Sequence, residues 1–352
     1  MLLLAGCAGQ QQQAVDTVQT QEDTQTATEV YSTEQEETQQ SQEDSLEWYS
    51  QIMQDACMSL GDNGRLDKVL KKLSNGEKVT IAAIGGSITE GAGASKTEEC
   101  YVSRFIAGLK ERYPDADITF VNAGVGGTPS ALGVIRYERD VTNVLGQNPD
   151  LVLVEFAVND YGEPTGGRAY ESMVRSVLEK DNEPAVMLVF SVFKTKWNMQ
   201  DTYKPIGELY GLPMVSIKNG VKAAYSLEKL TDDMFFSDEY HPTSFGHKIM
   251  SDSLLYVIDE KQKDLTDTVA ELPEETVYDT DFMQMHMLTA DTDTDGLVTV
   301  GDFTQIDTEL QYTPSSKKAV FADNWMHDAD AGTAPFRAKL NCCLLYTSPS
   351  PR

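Results

Sequence analysis

Lys78-Val-Thr-Ile-Ala-Ala-Ile-Gly-Gly-Ser-Ile-Thr-Glu-Gly91 decides how this chain is read. Val79 to Ile84 is an almost continuous apolar run, β-branched at most positions. Strands covered on both faces of a parallel sheet have that composition. Gly85 and Gly86 end the run and accept backbone angles that a Cβ would resist. Ser87 follows at once, which puts its hydroxyl at the carboxyl end of the strand, where open α/β sheets hold their ligands. A serine there is a candidate nucleophile, and it needs a base, an orienting acid and an oxyanion hole from elsewhere in the chain.

Working outward, the pattern alternates. Leu46 to Leu60 carries apolar residues on roughly one helical face, and Arg65 to Leu73 reads as a second short helix. After Ser87, Tyr101 to Tyr113 is predicted helical and Ile118 to Val121 extended. Further strands are expected at Leu151 to Ala157, Ala185 to Phe190 and Met214 to Ile217. Helices are expected at Tyr170 to Glu179, Tyr203 to Tyr210 and Ser244 to Ile258. Strands alternating with helices predict an α/β domain of three α/β/α layers, with a five-stranded parallel sheet in flavodoxin-like order.

The 352 residues carry a formal charge of −28, which argues against nucleic acid or an anionic membrane surface as partner. Leu4-Ala-Gly-Cys7 has the form of a bacterial lipobox, with Cys7 as the lipidated residue and residues 1–6 as the remnant of a signal peptide. Residues 7–45, rich in Gln, Thr and Glu, read as a disordered polar tether. The α/β domain is expected over 46–266. Residues 267–342 carry short strand-like runs such as Lys318 to Phe321 and Phe336 to Leu340, the pattern of an incomplete C-terminal β domain. Cys343 to Arg352 resembles translated sequencing-adapter DNA. Cys57 and Cys100 remain as thiols that an extracellular setting would allow to pair, though spacing alone does not establish a bridge.

Chemistry-bearing residues fall where the predicted strands end. Asp238-x-x-His241 lies in the loop before the last helix, at a spacing that lets the carboxylate hold imidazole Nδ1 and turn Nε2 toward a serine. Within the domain His247 is the other histidine, and its place in a helix favours a structural or exposed role. Oxyanion donors are available from the N–H of Ser87, from the glycine loop Gly124-Val-Gly-Gly127 and from the side chain of Asn159. Gly85-Gly-Ser87 lacks the spacing of a nucleotide-binding loop. Asp291-x-Asp293-x-Asp295-Gly296, with Asp302 at the twelfth position, matches a calcium loop, but it has no second copy and ends in Asp, so a solvated acidic loop is the preferred reading. Trp197 and Tyr161 fall in loops on the active edge, where aromatics serve either as sugar platforms or as packing.

Gly-Gly-Ser87, Asn122-Ala-Gly-Val-Gly-Gly127, Val158-Asn159-Asp160 and Asp238-x-x-His241, in that order, resemble the four blocks of the SGNH (GDSL-type) hydrolases over roughly Lys78 to Lys261. The resemblance implies Ser87 as nucleophile, Gly127 and Asn159 completing the oxyanion hole with Ser87, His241 as base and Asp238 as its partner. No metal or cofactor is implied. Gly86 departs from the family pattern, which has an aspartate before the serine. The expected activity is a serine esterase acting on small acyl esters, acetyl groups on polysaccharide foremost, held outside the cell by a lipid anchor that is its one membrane contact. An O-acyltransferase or lipase-like esterase would use the same triad. A surface glycan-binding protein with an inactive hydrolase fold is the alternative from another class.

Overall fold

In a computed structural model, the structure describes residues 47–162, 164–285, 287–290, 296–310, 322–327, 332 and 334–339. Cys7, the 7–45 segment, Lys318 to Phe321, Asp291 to Asp295 of the acidic loop and Cys343 to Arg352 lie outside the described residues.

Helix α1 (residues 47–56) leads into strand β1 (Cys57–Leu60), and α2 (Arg65–Ser74) follows. Next come β2 (Lys78–Gly85), α3 (Ser87–Glu90), α4 (Tyr101–Arg112) and β3 (Asp117–Gly124). Helix α5 (Ser130–Tyr137) continues through a π-helical turn at Glu138–Thr142 into α6 (Asn143–Leu145). The chain then alternates through β4 (Leu151–Glu155), α7 (Arg168–Leu178), β5 (Ala185–Phe190), α8 (Gln200–Leu209) and β6 (Pro213–Ser216). Helices α9 (Ile217–Ser226), α10 (Asp232–Phe235) and α11 (Ser244–Lys261) complete the α/β body.

The sheet order is β1-β6-β5-β4-β2-β3. Strands β3, β2, β4, β5 and β6 are parallel, which is the expected five-stranded flavodoxin-like arrangement. A sixth strand departs from expectation. β1 lies antiparallel on the edge, pairing Cys57 with Val215 and Leu60 with Pro213. The helical face read across Leu46 to Leu60 therefore stops at Ala56. Without β1, the edge of β6 would present unpaired backbone groups. Gly61, at φ +72°, then turns the chain away where a Cβ would stand 2.6 Å from the Pro213 ring.

Strands β2, β4 and β5 are buried along their length, so each face of the sheet is covered. Ala82, Ile84, Val152, Val154, Val186 and Leu188 pack with residues of α7 and α8, including Tyr170, Met173, Tyr203 and Ile206. The alternate residues Ile81, Ala83, Leu153, Met187 and Val189 point the other way and are equally buried, toward the layer formed by α4, α9 and α11. Helices α4 and α11 touch closely because Gly108 leaves space for Leu255.

Beyond α11 the chain runs back over the α7 side. Glu171, fully buried in α7, accepts the N–H groups of Val277 and Tyr278, and Phe282 is buried against Ala131 and Ala169. Further on, β7 (Val298–Thr299) and β8 (Arg337–Ala338) form a two-stranded antiparallel pair.

Candidate active site

Three strand ends lie level. Gly85 on β2 stands in register with Gly124 on β3 and with Glu155 on β4. The turn carrying Ser87, the glycine loop and the loop carrying Asn159 leave the sheet from this row.

Crowding accounts for the glycines at the serine turn. A Cβ on Gly85 would stand 2.2 Å from Thr89 Oγ1 and 2.5 Å from the Glu155 carbonyl oxygen. One on Gly86 would stand 2.1 Å from Asn159 Oδ1 and 2.3 Å from its Nδ2. Gly86 has φ −90°, so space rather than a left-handed backbone demands glycine there. The Asn159 side chain lies flat on the peptide that precedes the serine, with Oδ1 buried and unpartnered among the described residues.

His241 Nε2 lies 2.9 Å from Ser87 Oγ, and its Nδ1 lies 2.8 Å from Asp238 Oδ2. The other Asp238 oxygen accepts the backbone N–H groups of Tyr240 and His241 at 2.7 and 2.8 Å. A three-residue loop closed by its own carboxylate fixes the imidazole from both ends. Burial works to raise the Asp238 carboxyl, but hydrogen bonds from the His241 ring and from two backbone N–H groups outweigh it and hold the group below its ordinary value. A charged Asp238 takes the Nδ1–H and leaves Nε2 free to accept the serine proton.

The three glycines that sequence leaves as alternatives for the second donor are distinguished by their hydrogen bonds. The Gly124 N–H is bonded to Asn122 Oδ1 at 3.0 Å, and the Gly126 N–H to Glu90 Oε2 at 2.8 Å. The N–H of Gly127, an exposed residue at φ +66°, carries no hydrogen bond among the described residues. Ser87, Gly127 and Asn159 thus all stand on loops of one sheet edge, and the sequence-predicted residues from Ser87 to His241 gather there.

Beneath the site lies a polar framework that sequence reading missed. Arg136 on α5 is fully buried and donates to the Gly85 carbonyl at 2.9 Å, the Ala123 carbonyl at 2.6 Å and Asp140 at 3.0 Å. It ties the end of β2 to the end of β3, just before the serine turn and the glycine loop. Glu155 is also fully buried, accepting from Thr89 Oγ1 at 3.0 Å, from Ser191 Oγ and from the Gly86 N–H. Burial pushes its carboxyl up to about 7 against these hydrogen bonds. Its sequence signal was a lone charge inside the apolar run from Leu151 to Val158. Arg136 had none, because the stretch around it was assigned to no element.

His247 is buried, with its ring nitrogens bonded to the Ala92 carbonyl oxygen at 3.0 Å and to the Tyr101 N–H at 3.2 Å. Burial lowers it to about 4. It is a structural neutral imidazole. Cys57 and Cys100 are free thiols, and Cys100 caps the start of α4.

Residues 83–249 match the GDSL-like Lipase/Acylhydrolase family. An acetylxylan esterase of Geobacillus stearothermophilus is 27% identical over 213 residues, covering 52% of this chain and 94% of that enzyme. A two-domain esterase active on acetylated mannans, solved with mannopentaose, is 29% identical with a TM-score of 0.69, over 78% of this chain and 71% of that one. A second structure of a two-domain esterase active on acetylated mannans superposes with a TM-score of 0.62 at 29% identity, over 78% of this chain and 72% of that one.

Proposed function

We propose that the protein, whose residues 83–249 match the GDSL-like Lipase/Acylhydrolase family, is a serine esterase that removes acetyl groups from polysaccharide. The Asp238–His241–Ser87 relay, with contacts of 2.8 and 2.9 Å, carries this reading. The activities of the acetylxylan and acetylated-mannan esterases to which the chain is similar support acetylated carbohydrate as the substrate class.

In this mechanism Ser87 Oγ attacks the acetyl carbonyl carbon and passes its proton to His241 Nε2. The carbonyl electron pair moves onto oxygen, which takes hydrogen bonds from the Ser87 N–H, the Gly127 N–H and Asn159 Nδ2. Asp238 stabilises the imidazolium. Collapse of the tetrahedral species breaks the bond to the sugar oxygen, which leaves with the proton from His241. Water then attacks the acetyl-serine as His241 takes one of its protons, and the release of acetate restores the Ser87 hydroxyl.

Ser87→Ala removes one hydroxyl from a turn whose backbone is held by other groups. The expected result is loss of acetate release from acetylated xylan or mannan by about 10⁴-fold or more, with an unchanged melting profile. Equal rates for the purified wild type and variant would overturn the esterase reading.

A further inference from the structure

Four aromatic rings form an unbroken wall along one rim of the site. Tyr161, two residues beyond Asn159, meets Trp197 edge to face at 4.9 Å. Trp197 stacks on Phe193 at 6.0 Å, and Phe193 meets Tyr240 at 5.2 Å. Tyr240 ends the wall against the His241 ring at 6.2 Å. The row therefore begins beside the oxyanion asparagine and ends on the base.

Burying large rings accounts for the middle of this row but not for its ends. Phe193 and Trp197 are half-buried, whereas Tyr161 is 72% exposed and Tyr240 56% exposed. Contiguous aromatic surface left in water beside a cleft marks a ligand site more often than it does a stray side chain.

The wall is also held rigidly. The Phe193 N–H is bonded to the Trp197 carbonyl at 3.1 Å, and Asn198 Nδ2 to the Ser191 carbonyl at 2.9 Å. The Lys194 N–H reaches the Glu239 carbonyl in the His241 loop at 3.2 Å. The Met199 N–H reaches the Ala157 carbonyl in the Asn159 loop at 2.8 Å. The loop from Ser191 to Met199 is thus fastened to both catalytic loops, and its two rings, Phe193 and Trp197, are set before any ligand arrives.

We propose that Tyr161, Trp197, Phe193 and Tyr240 form a binding platform for the pyranose rings that flank the acetylated sugar. A pyranose ring presents a face of C–H groups bordered by hydroxyls. It suits an aromatic surface that is apolar on its face and wet at its hydroxyl-bearing edge, as tyrosine is. An acyl chain gains by full enclosure of each methylene, which an open rim with tyrosines this exposed does not give. The chain's charge of −28 disfavours anionic polymers and anionic lipid surfaces. A neutral oligosaccharide remains. The platform deepens the esterase reading and rests on it for where the ester lies, but the binding it requires needs no turnover.

The test is calorimetric titration of the full chain with mannopentaose and with xylopentaose, alongside p-nitrophenyl acetate hydrolysis by the same preparations. At least one pentaose is expected to bind. Tyr161→Ala and Tyr240→Ala should each weaken that binding about tenfold, while Tyr161→Phe, which keeps the ring, should bind as wild type does. No binding of either pentaose overturns the platform, as does wild-type binding by both alanine variants or equal weakening by Tyr161→Phe. Ester turnover without pentaose binding removes the platform and leaves the esterase. Pentaose binding without turnover does the reverse. Melting curves identify an alanine variant that has failed to fold, and Tyr161→Phe and Tyr240→Phe then decide the matter by whether the rings alone sustain binding.

Discussion

The Asn159 amide fills the space that a side chain at position 86 would need. A methyl group at position 86 would stand 2.1 Å from Asn159 Oδ1. Gly86→Ala is therefore expected to swing the amide away from its proposed oxyanion position. Losing one such donor costs about 10²–10³ in kcat, so Gly86→Ala and Asn159→Ala should fall together into that range on p-nitrophenyl acetate. The double variant should be no slower than the worse single one, because both remove the same interaction. Fully multiplying effects in steady-state kinetics would show that Gly86 acts by some other route. Sequence alone exposes the glycine as a departure from the family pattern, but its reason is a neighbour more than seventy residues away. The choice of Gly127 over Gly124 and Gly126 likewise turns on which N–H groups are already bonded to Asn122 and Glu90. By contrast, Asp238 and His241 were legible at once, since a three-residue spacing is a local matter and their contact is made within one loop.

At the level of elements, Arg136 makes α5 part of the site without bringing it near the serine. Its guanidinium joins the carbonyls of Gly85 and Ala123, so the row of strand ends is held level from below. Burial lowers its pKa, with Asp140 working against that shift, and the group is committed to those oxygens. Arg136→Met would take one charged donor from the Gly85 and Ala123 carbonyls and from Asp140, although Gly85 keeps the Val125 N–H and Asp140 keeps Arg139. Hydrogen bonds to a charged group contribute about 1.5–3 kcal/mol each, and urea unfolding should show a loss of this order. A loss well under 1 kcal/mol would mean that the strand ends hold themselves. The elements themselves were unevenly legible. β2, β4 and β5 were read because both faces are buried and the apolar runs are continuous. β1 looks helical in sequence because its residues, half-buried throughout, prolong the preceding helical period. Pairing with β6, not propensity, makes it a strand. Helices α5 and α9 went unread because glycines interrupt them, and those glycines serve close packing. Gly133 fits under the Phe156 ring, and Gly220 against Ala56.

For the molecule as a whole, two buried titrating groups set opposing pH slopes. Glu155 is raised from 4.5 to about 7 in the fold, so its contribution to stability is complete below its ordinary value and is lost as pH rises toward 7. His247 is lowered from 6.5 to about 4, so its contribution is present above its ordinary value and is lost as pH falls toward 4. Glu155→Gln keeps the shape and removes the first slope. Between about pH 5 and pH 8, the melting temperature of the variant should fall less with rising pH than that of the wild type. Parallel curves would show that Glu155 does not titrate in this range. The antiparallel edge strand has a consequence of a different kind. β1 leaves the ribosome well before β6, and Leu60 finds its partner in Pro213, about 150 residues later. Closing so long a loop is slow compared with local pairing. During synthesis, at about 5–20 residues per second, β1 waits many seconds without the strand that completes it. The parallel core can assemble outward from β2, but the sheet is finished only when β6 has been made and β1 comes back to meet it.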